Sequence, residues 1–299
     1  MIDVAIIGGG PAGLTAGIYC MRGGAKTRLF EEMFVGGQIV KTHRVDNYPG
    51  FSNGPDGFEL GAAFETHAKK LGLEIDYAPV VKLELTEDRK TVFLPDKTIE
   101  AKAVILCMGA APRPLGIERE EDFVGGGLSY CATCDGAFYK GKTAAVIGGG
   151  DTAVSDAIYL SALCKKVYLI HRRDELRASE ALRRAAFERP NIEFIWDTVV
   201  EKLEGEKSLS GLLLRNKRTL ETRTLEVDGV FVAVGIVPRT ELVRDLLELT
   251  AEGFIKTDVN METSVKGVFA AGDIRNTPLR QVITACADGA VAATRAMEL

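Results

Sequence analysis

The sequence predicts an α/β chain of two doubly wound, three-layer domains, each with an attached antiparallel β-meander, the second inserted into the first. Three observations carry this. First, the chain repeats itself. Residues 4–32 begin V-A-I-I-G-G-G-P-A-G-L-T-A-G-I-Y, and residues 144–172 begin A-A-V-I-G-G-G-D-T-A-V-S-D-A-I-Y; they superpose without a gap, Gly8 falling on Gly148. Each copy runs from an apolar strand through glycines into a helical pattern and a second apolar strand, the βαβ unit of a parallel sheet. Second, two matching connectors follow, V-I-L-C-M-G-A-A-P-R-P at 104–114 and V-F-V-A-V-G-I-V-P-R-T at 230–240. Both are apolar strands ended by Gly and Pro, which break the ladder. Third, the stretches before them, roughly 74–103 and 192–229, alternate apolar and polar residues between charged turns, the pattern of antiparallel hairpins. The domains implied are residues 1–112 with 242–299, and residues 113–241.

Composition agrees with a folded chain of this size. The 299 residues allow about two domains, and 46% hydrophobic with 26% charged residues is ordinary for a globular protein. A formal net charge of −5 gives no basic footprint for nucleic acid. No apolar run approaches the ~18 residues of a membrane span. The start, M-I-D-V-A-I-I-G-G-G, lacks the basic opening of a secretory signal, so the cytoplasm is the expected compartment. Six cysteines in such a chain do not read as a disulfide framework.

In the first βαβ unit, Gly8, Gly10 and Gly13 form G-x-G-x-x-G between strand and helix. The first glycine permits the tight turn, the second lets backbone approach a pyrophosphate, and the third lets helix pack on sheet. The helix N-terminus, opening with Pro11 and Ala12, directs free N–H groups at phosphate. An acid closing the next strand bonds a ribose hydroxyl in this Rossmann-like pattern, and Glu31 with Glu32 stands there. The second unit has Gly148, Gly150 and Ala153, the G-x-G-x-x-A variant, with Asp151 and Thr152 opening its helix. There the superposition sets His171 opposite Glu31 and Arg172 opposite Glu32, within H-R-R-D-E-L-R, which also holds Arg173 and Arg177. Guanidinium groups hold a 2′-phosphate that a carboxylate would repel. The second site thus reads as NADP(H), the acid-marked first as FAD; the plain alternatives are a glycine-rich turn and a solvated basic patch.

Between the fingerprints stand Cys131 and Cys134, in C-A-T-C-D-G. Such a pair is a redox dithiol, half a zinc site, or two ordinary thiols. Zinc needs four ligands, yet there is no second pair, and His43, His67 and His171 are scattered, so no metal is expected. Cys20, Cys107, Cys164 and Cys286 lie singly in or beside apolar segments and read as small buried hydrophobes. Asp135 follows Cys134 directly; it either moves protons as thiolates form and leave or merely starts a turn. A dithiol joined to two dinucleotide sites is most simply a flavin enzyme that reduces disulfides.

With these motifs the chain closely resembles the low-molecular-weight thioredoxin reductases of bacteria and archaea, over essentially its whole length. Three further stretches share in the resemblance. Residues 36–51 look like a flavin-contacting loop, implicating Gly37, Gln38 and Asn47. Residues 267–273, G-V-F-A-A-G-D, look like the second FAD motif, with Gly272 and with Asp273 bonding the ribityl chain; residues 278–285 implicate Arg280, Gln281 and Val282 beside the flavin. Gly109, at the first crossing, joins the FAD set; the local reading C-M-G-A departs from the family's frequent A-T-G-A, as G-I-V-P-R-T departs at the second. The resemblance implies a hydride path from NADPH to FAD to the Cys131–Cys134 disulfide and on to thioredoxin, with Cys134 attacking the partner and Cys131 resolving. It also implies a homodimer. The layout itself predicts a rotation about the two thin crossings, near Gly109–Pro114 and Gly235–Thr240, because the dithiol and the nicotinamide site share one domain and each must meet the flavin held by the other. Rival readings are a relative reducing a glutaredoxin-like protein, a ferredoxin-driven reductase and a flavin-binding redox sensor.

Overall fold

Val4 to Ile7 and Ala144 to Ile147 are almost wholly removed from solvent, as strands must be when layers cover both faces of a sheet. In a computed structural model describing residues 1–42 and 45–299, each strand lies at the heart of its own unit. One unit comprises Met1–Ala111 and Val237–Leu299, the other Pro112–Ile236. His43 and Arg44, in the loop 36–51, lie outside the described residues.

In the discontinuous unit, Ile2–Ile7 pairs in parallel with Thr27–Glu31 on one side and Thr98–Leu106 on the other, and Glu74–Tyr77 extends the edge in parallel. Thr98–Leu106 is a fork. Its first half pairs antiparallel with Lys90–Phe93, which continues to Lys82–Leu85, while Val104–Leu106 pairs in parallel with Val268–Ala270. One strand therefore serves both the doubly wound sheet and its meander. Side chains alternate faces along a strand, and the core divides accordingly. Val4 and Ile6 pack with the helix Pro11–Arg22 and the last helix, Val282–Ala296; Ala5 and Ile7 pack with Leu83, Val92, Val243 and Leu247.

The inserted unit repeats this plan. Ile192–Ile195, Lys166–Ile170, Thr143–Gly148, Gly229–Ala233 and Leu128–Ser129 form a five-stranded, all-parallel sheet. Ala144 and Val146 face the helix Asp151–Ser161, while Ala145 and Ile147 face a three-stranded antiparallel sheet of Thr198–Gly205, Leu209–Asn216 and Thr222–Glu226. The chain is therefore α/β with Rossmann-like three-layer units. The hairpin reading needs one correction. Glu74–Tyr77 and Ile192–Ile195, grouped by alternation with the meanders, are parallel edge strands. Each follows a helix, Gly57–Lys70 or Glu180–Phe187, and a strand–helix–strand crossover returns parallel.

Candidate active site

The discontinuous unit holds a cavity of about 690 Å³ along its fingerprint, lined by Gly8–Ala12, Glu31, Glu32, Gly37, Gln38, Gly109, Gly272, Asp273, Gln281 and Val282. Gly13 lies beneath: a β-carbon there would stand 1.9 Å from the Gly8 carbonyl oxygen, so helix and turn touch through backbone. Glu31 accepts the Gly9 N–H at 2.7 Å through one oxygen and the Met33 N–H at 3.1 Å through the other, bracing the turn from the end of its strand. Two distant stretches meet where Asn47 Nδ2 donates to Gln281 Oε1 at 2.9 Å. Gln281 also caps the last helix in a reciprocal box with Thr284. Asp273 is pushed up to about 6, first by burial, with Arg280 opposing and Asp288 adding to the rise. Arg280 does not line the cavity. Its guanidinium lies 4.2 Å over the Phe254 ring and donates to the Asp273 and Arg275 carbonyls at 3.4 Å.

In the inserted unit, Gly148, Gly150 and Ala153 form the turn into Asp151–Ser161. Asp151 accepts the Ser179 N–H at 2.7 Å, so its carboxylate ties two helix starts together; Thr152 is exposed beside it. His171 is buried, and a β-carbon on Gly149 would lie 2.3 Å from its ring, so the imidazole packs flat under the glycine turn. Burial, then Arg177, Arg172 and Arg173, lower its pKa. The Arg177 N–H donates to the Gly149 carbonyl at 2.7 Å, folding the arginine loop back on the turn. All three arginines are exposed, and none takes part in the ion pairs found among the described residues, which instead engage Arg183 and Arg218 nearby.

Cys131 and Cys134 are joined in a disulfide, their Cα atoms 5.3 Å apart across the short helix Ala132–Asp135. Both cysteines and Asp135 are half-buried. Ser129 Oγ donates to Asp135 Oδ2 at 2.6 Å and accepts the Cys131 N–H at 3.0 Å. Cys20, Cys107, Cys164 and Cys286 are free and buried. Among the described residues no cluster of His, Cys, Asp and Glu is arranged to hold a metal, and no helix is long and apolar enough to cross a membrane.

A scan against protein-family models matches residues 2–289 to the pyridine nucleotide-disulphide oxidoreductases. The chain belongs to this family. A thioredoxin reductase of Peptoclostridium acidaminophilum is 44% identical over 300 residues, covering 98% of this chain and 95% of that one. One of Bacillus subtilis (strain 168) is 42% identical over 294 residues, covering 97% and 92%. The solved thioredoxin reductase of Streptococcus pyogenes MGAS5005 superposes with a TM-score of 0.93 at 42% identity, covering 100% of this chain and 97% of that one. Membership carries with it the use of a flavin and a pyridine nucleotide.

The oxidoreductase's own residues fit such groups. The first cavity offers a helix N-terminus, an acid at the adjacent strand end and a partly buried carboxyl whose proton affinity burial raises. The second turn offers a helix N-terminus beside three exposed guanidiniums. Sequence reasoning missed Asp288, whose Oδ2 accepts the Gly272 N–H at 3.1 Å and pairs with Arg275 at 3.0 Å, both side chains nearly buried. A lone acid in the run A-C-A-D-G-A-V-A-A was the available signal. It also missed Ser129 and Glu120. Glu120 accepts the Leu115 and Gly116 N–H groups and the Tyr130 hydroxyl, at 2.8, 2.9 and 2.7 Å.

Proposed function

We propose that this oxidoreductase is a thioredoxin-disulfide reductase, drawing on NADPH and FAD and passing electrons through Cys131 and Cys134. The observation that carries it is the half-buried Cys131–Cys134 disulfide with Asp135 beside it, in the same unit as a fingerprint flanked by exposed arginines. FAD, when bound in the first cavity, supplies a two-electron carrier between the nicotinamide and the disulfide. Gly8, Gly10, Pro11, Ala12 and Gly13 present the backbone to its pyrophosphate, Glu31 and Glu32 flank the ribose, and Asp273 accepts or donates to a hydroxyl. Gly37, Gln38, Asn47, Gly109, Gly272, Arg280, Gln281 and Val282 shape or brace the remainder. Arg172, Arg173 and Arg177 hold the 2′-phosphate of NADPH, with His171, Asp151 and Thr152 supporting the turn of Gly148, Gly150 and Ala153.

Once the pair is reduced, the Cys134 thiolate attacks one sulfur of the thioredoxin disulfide, forming a mixed disulfide and releasing the other sulfur as thiolate. Asp135 supplies that thiolate with its proton. Cys131, deprotonated in turn, attacks the Cys134 sulfur, restores the internal disulfide and frees the second thioredoxin sulfur. The dithiol must serve in turn a reductant and a protein acceptor, so the inserted unit turns about its two crossings. Gly109 and Gly235 adopt φ of +69° and +124°, and a β-carbon on either would meet nothing within 4 Å. Both carbonyls are hydrogen-bonded, Gly235 O accepting the Arg113 N–H at 2.9 Å and Gly109 O the Arg239 N–H at 3.0 Å, and Ala110–Pro112 pairs with Ile236–Pro238, so the two crossings form one two-stranded joint. The test is steady-state reduction of thioredoxin with NADPH, NADH or reduced ferredoxin as donor. NADPH is expected to be preferred, and replacing Arg172 and Arg177 by Ala should raise its KM at least tenfold while leaving that of NADH nearly unchanged. Equal use of both nucleotides, or reduction by ferredoxin alone, defeats the reading. A cross-link between the units should block turnover, and full activity when cross-linked counts against the rotation.

A further inference from the structure

We propose that Ser129 is a positioning residue that lets Asp135 take up and release a proton without stranding a buried polar group. This rests on the reading of Asp135 as the acid–base partner of the dithiol. Ser129 ends the short strand Leu128–Ser129, set in register by parallel pairing with Phe231, and is 5% exposed. Three groups surround its oxygen: the Cys131 N–H at 3.0 Å, Asp135 Oδ2 at 2.6 Å and the Cys131 carbonyl oxygen at 3.3 Å. A hydroxyl has one proton and two lone pairs, so it cannot donate to the carboxylate and the carbonyl together.

The arrangement resolves into two complete states. With Asp135 ionised, Ser129 donates to Oδ2 and accepts from the Cys131 N–H. With Asp135 protonated, the carboxyl O–H donates to Ser129 Oγ, and the serine proton turns to the Cys131 carbonyl. Ser129 then uses both lone pairs and its one proton, and the Cys131 N–H is accepted throughout. One proton enters Asp135 when a thiol of the pair ionises, and the same proton leaves for the departing thiolate of the acceptor, so the cycle balances. A buried polar group that loses its partner destabilises the fold, and around Ser129 neither protonation state incurs that loss. Asp135 N–H also donates to the Cys131 carbonyl at 3.1 Å. The hydroxyl thus sits inside a loop that contains both a cysteine of the disulfide and the acid beside it.

The titratable groups on neighbouring elements are Tyr139 in the turn 136–139, Asp228 ahead of Gly229–Ala233, Asp151, Asp156 and Tyr159 on the helix Asp151–Ser161, with the Tyr159 ring against Gly136, and Glu120 against Tyr130. Asp156 is itself pushed up to about 6 by burial, so the limb belonging to Asp135 must be identified by its disappearance in Asp135→Asn. The experiment is the pH profile of thioredoxin reduction by the flavin-loaded enzyme and by Ser129→Ala, Ser129→Thr and Asp135→Asn, with flavin reduction by NADPH as a control for folding. Asp135→Asn should lose about a hundredfold and remove one limb. Ser129→Ala should lose about tenfold and move that limb upward by about one pH unit, because the carboxylate loses its charge-assisted donor. Ser129→Thr keeps the hydroxyl and with it the wild-type limb. An unmoved limb in Ser129→Ala beside a slow Asp135→Asn overturns the role of Ser129 alone. Normal turnover by Asp135→Asn overturns the Asp135 reading beneath it. A displaced limb in Ser129→Thr overturns the proposal even where Ser129→Ala does not fold.

Discussion

Asp273 faces a cavity with its carboxyl held near 6, well above an ordinary aspartate, because burial disfavours its charge. The folded state then binds a proton more readily than the unfolded chain. Stability from this group is complete below about pH 4 and is lost as pH rises through about 6. In flavin-free protein, Asp273→Asn should therefore melt higher than wild type at pH 7, by up to about 2–3 kcal/mol of stability, and equally at pH 4. Melts at the two values check the sign. Gly149 is a second single-residue device. A methyl group there collides with the imidazole of His171, so Gly149→Ala should cost about 1–3 kcal/mol and raise the KM for NADPH more than it lowers kcat. At this scale the sequence is readable where one residue type alone satisfies the backbone. Gly13 is such a case, because any side chain strikes the Gly8 carbonyl. Ser129, Glu120 and Asp288 are not readable, because their partners are backbone N–H groups and side chains brought together by folding, and no spacing rule marks them.

The elements show the same division. Apolar runs of four residues locate the central strands, since burial on both faces leaves no room for polar positions. Strand direction is harder to read. Alternation gives a half-exposed strand but not its orientation, which is why Glu74–Tyr77 and Ile192–Ile195 read as hairpin members until the crossovers fix them as parallel edges. The fork at Thr98–Leu106 is invisible for a related reason: one unbroken strand pattern conceals two different partners at its two ends. Glu120 acts between elements. It joins the segment leaving the first crossing to Tyr130, whose phenol is pushed well above its ordinary value by burial and by Glu120 itself. Glu120→Gln places an amide N–H₂ where one carboxylate oxygen accepts a backbone N–H. It should destabilise the inserted unit by about 2–4 kcal/mol, seen as a lower urea midpoint with an unchanged slope.

For the whole molecule, the internal repeat makes both units legible in advance, since each is a βαβ core with its own meander, and each buried cluster among the described residues is drawn from one unit. The unit built from two chain segments depends on its last helix, which meets the first so closely that a β-carbon on Gly289 would stand 2.2 Å from the Ala12 carbonyl oxygen. Removing residues 282–299 should unfold that unit while leaving 112–236 as a protease-resistant fragment, recoverable by limited digestion and mass analysis. The order of biosynthesis follows from the same contact. Domains fold as units when all their residues have left the ribosome. The inserted unit therefore completes itself on the nascent chain, while the N-terminal βαβ core waits, exposed to chaperones, for the C-terminal helix to be translated.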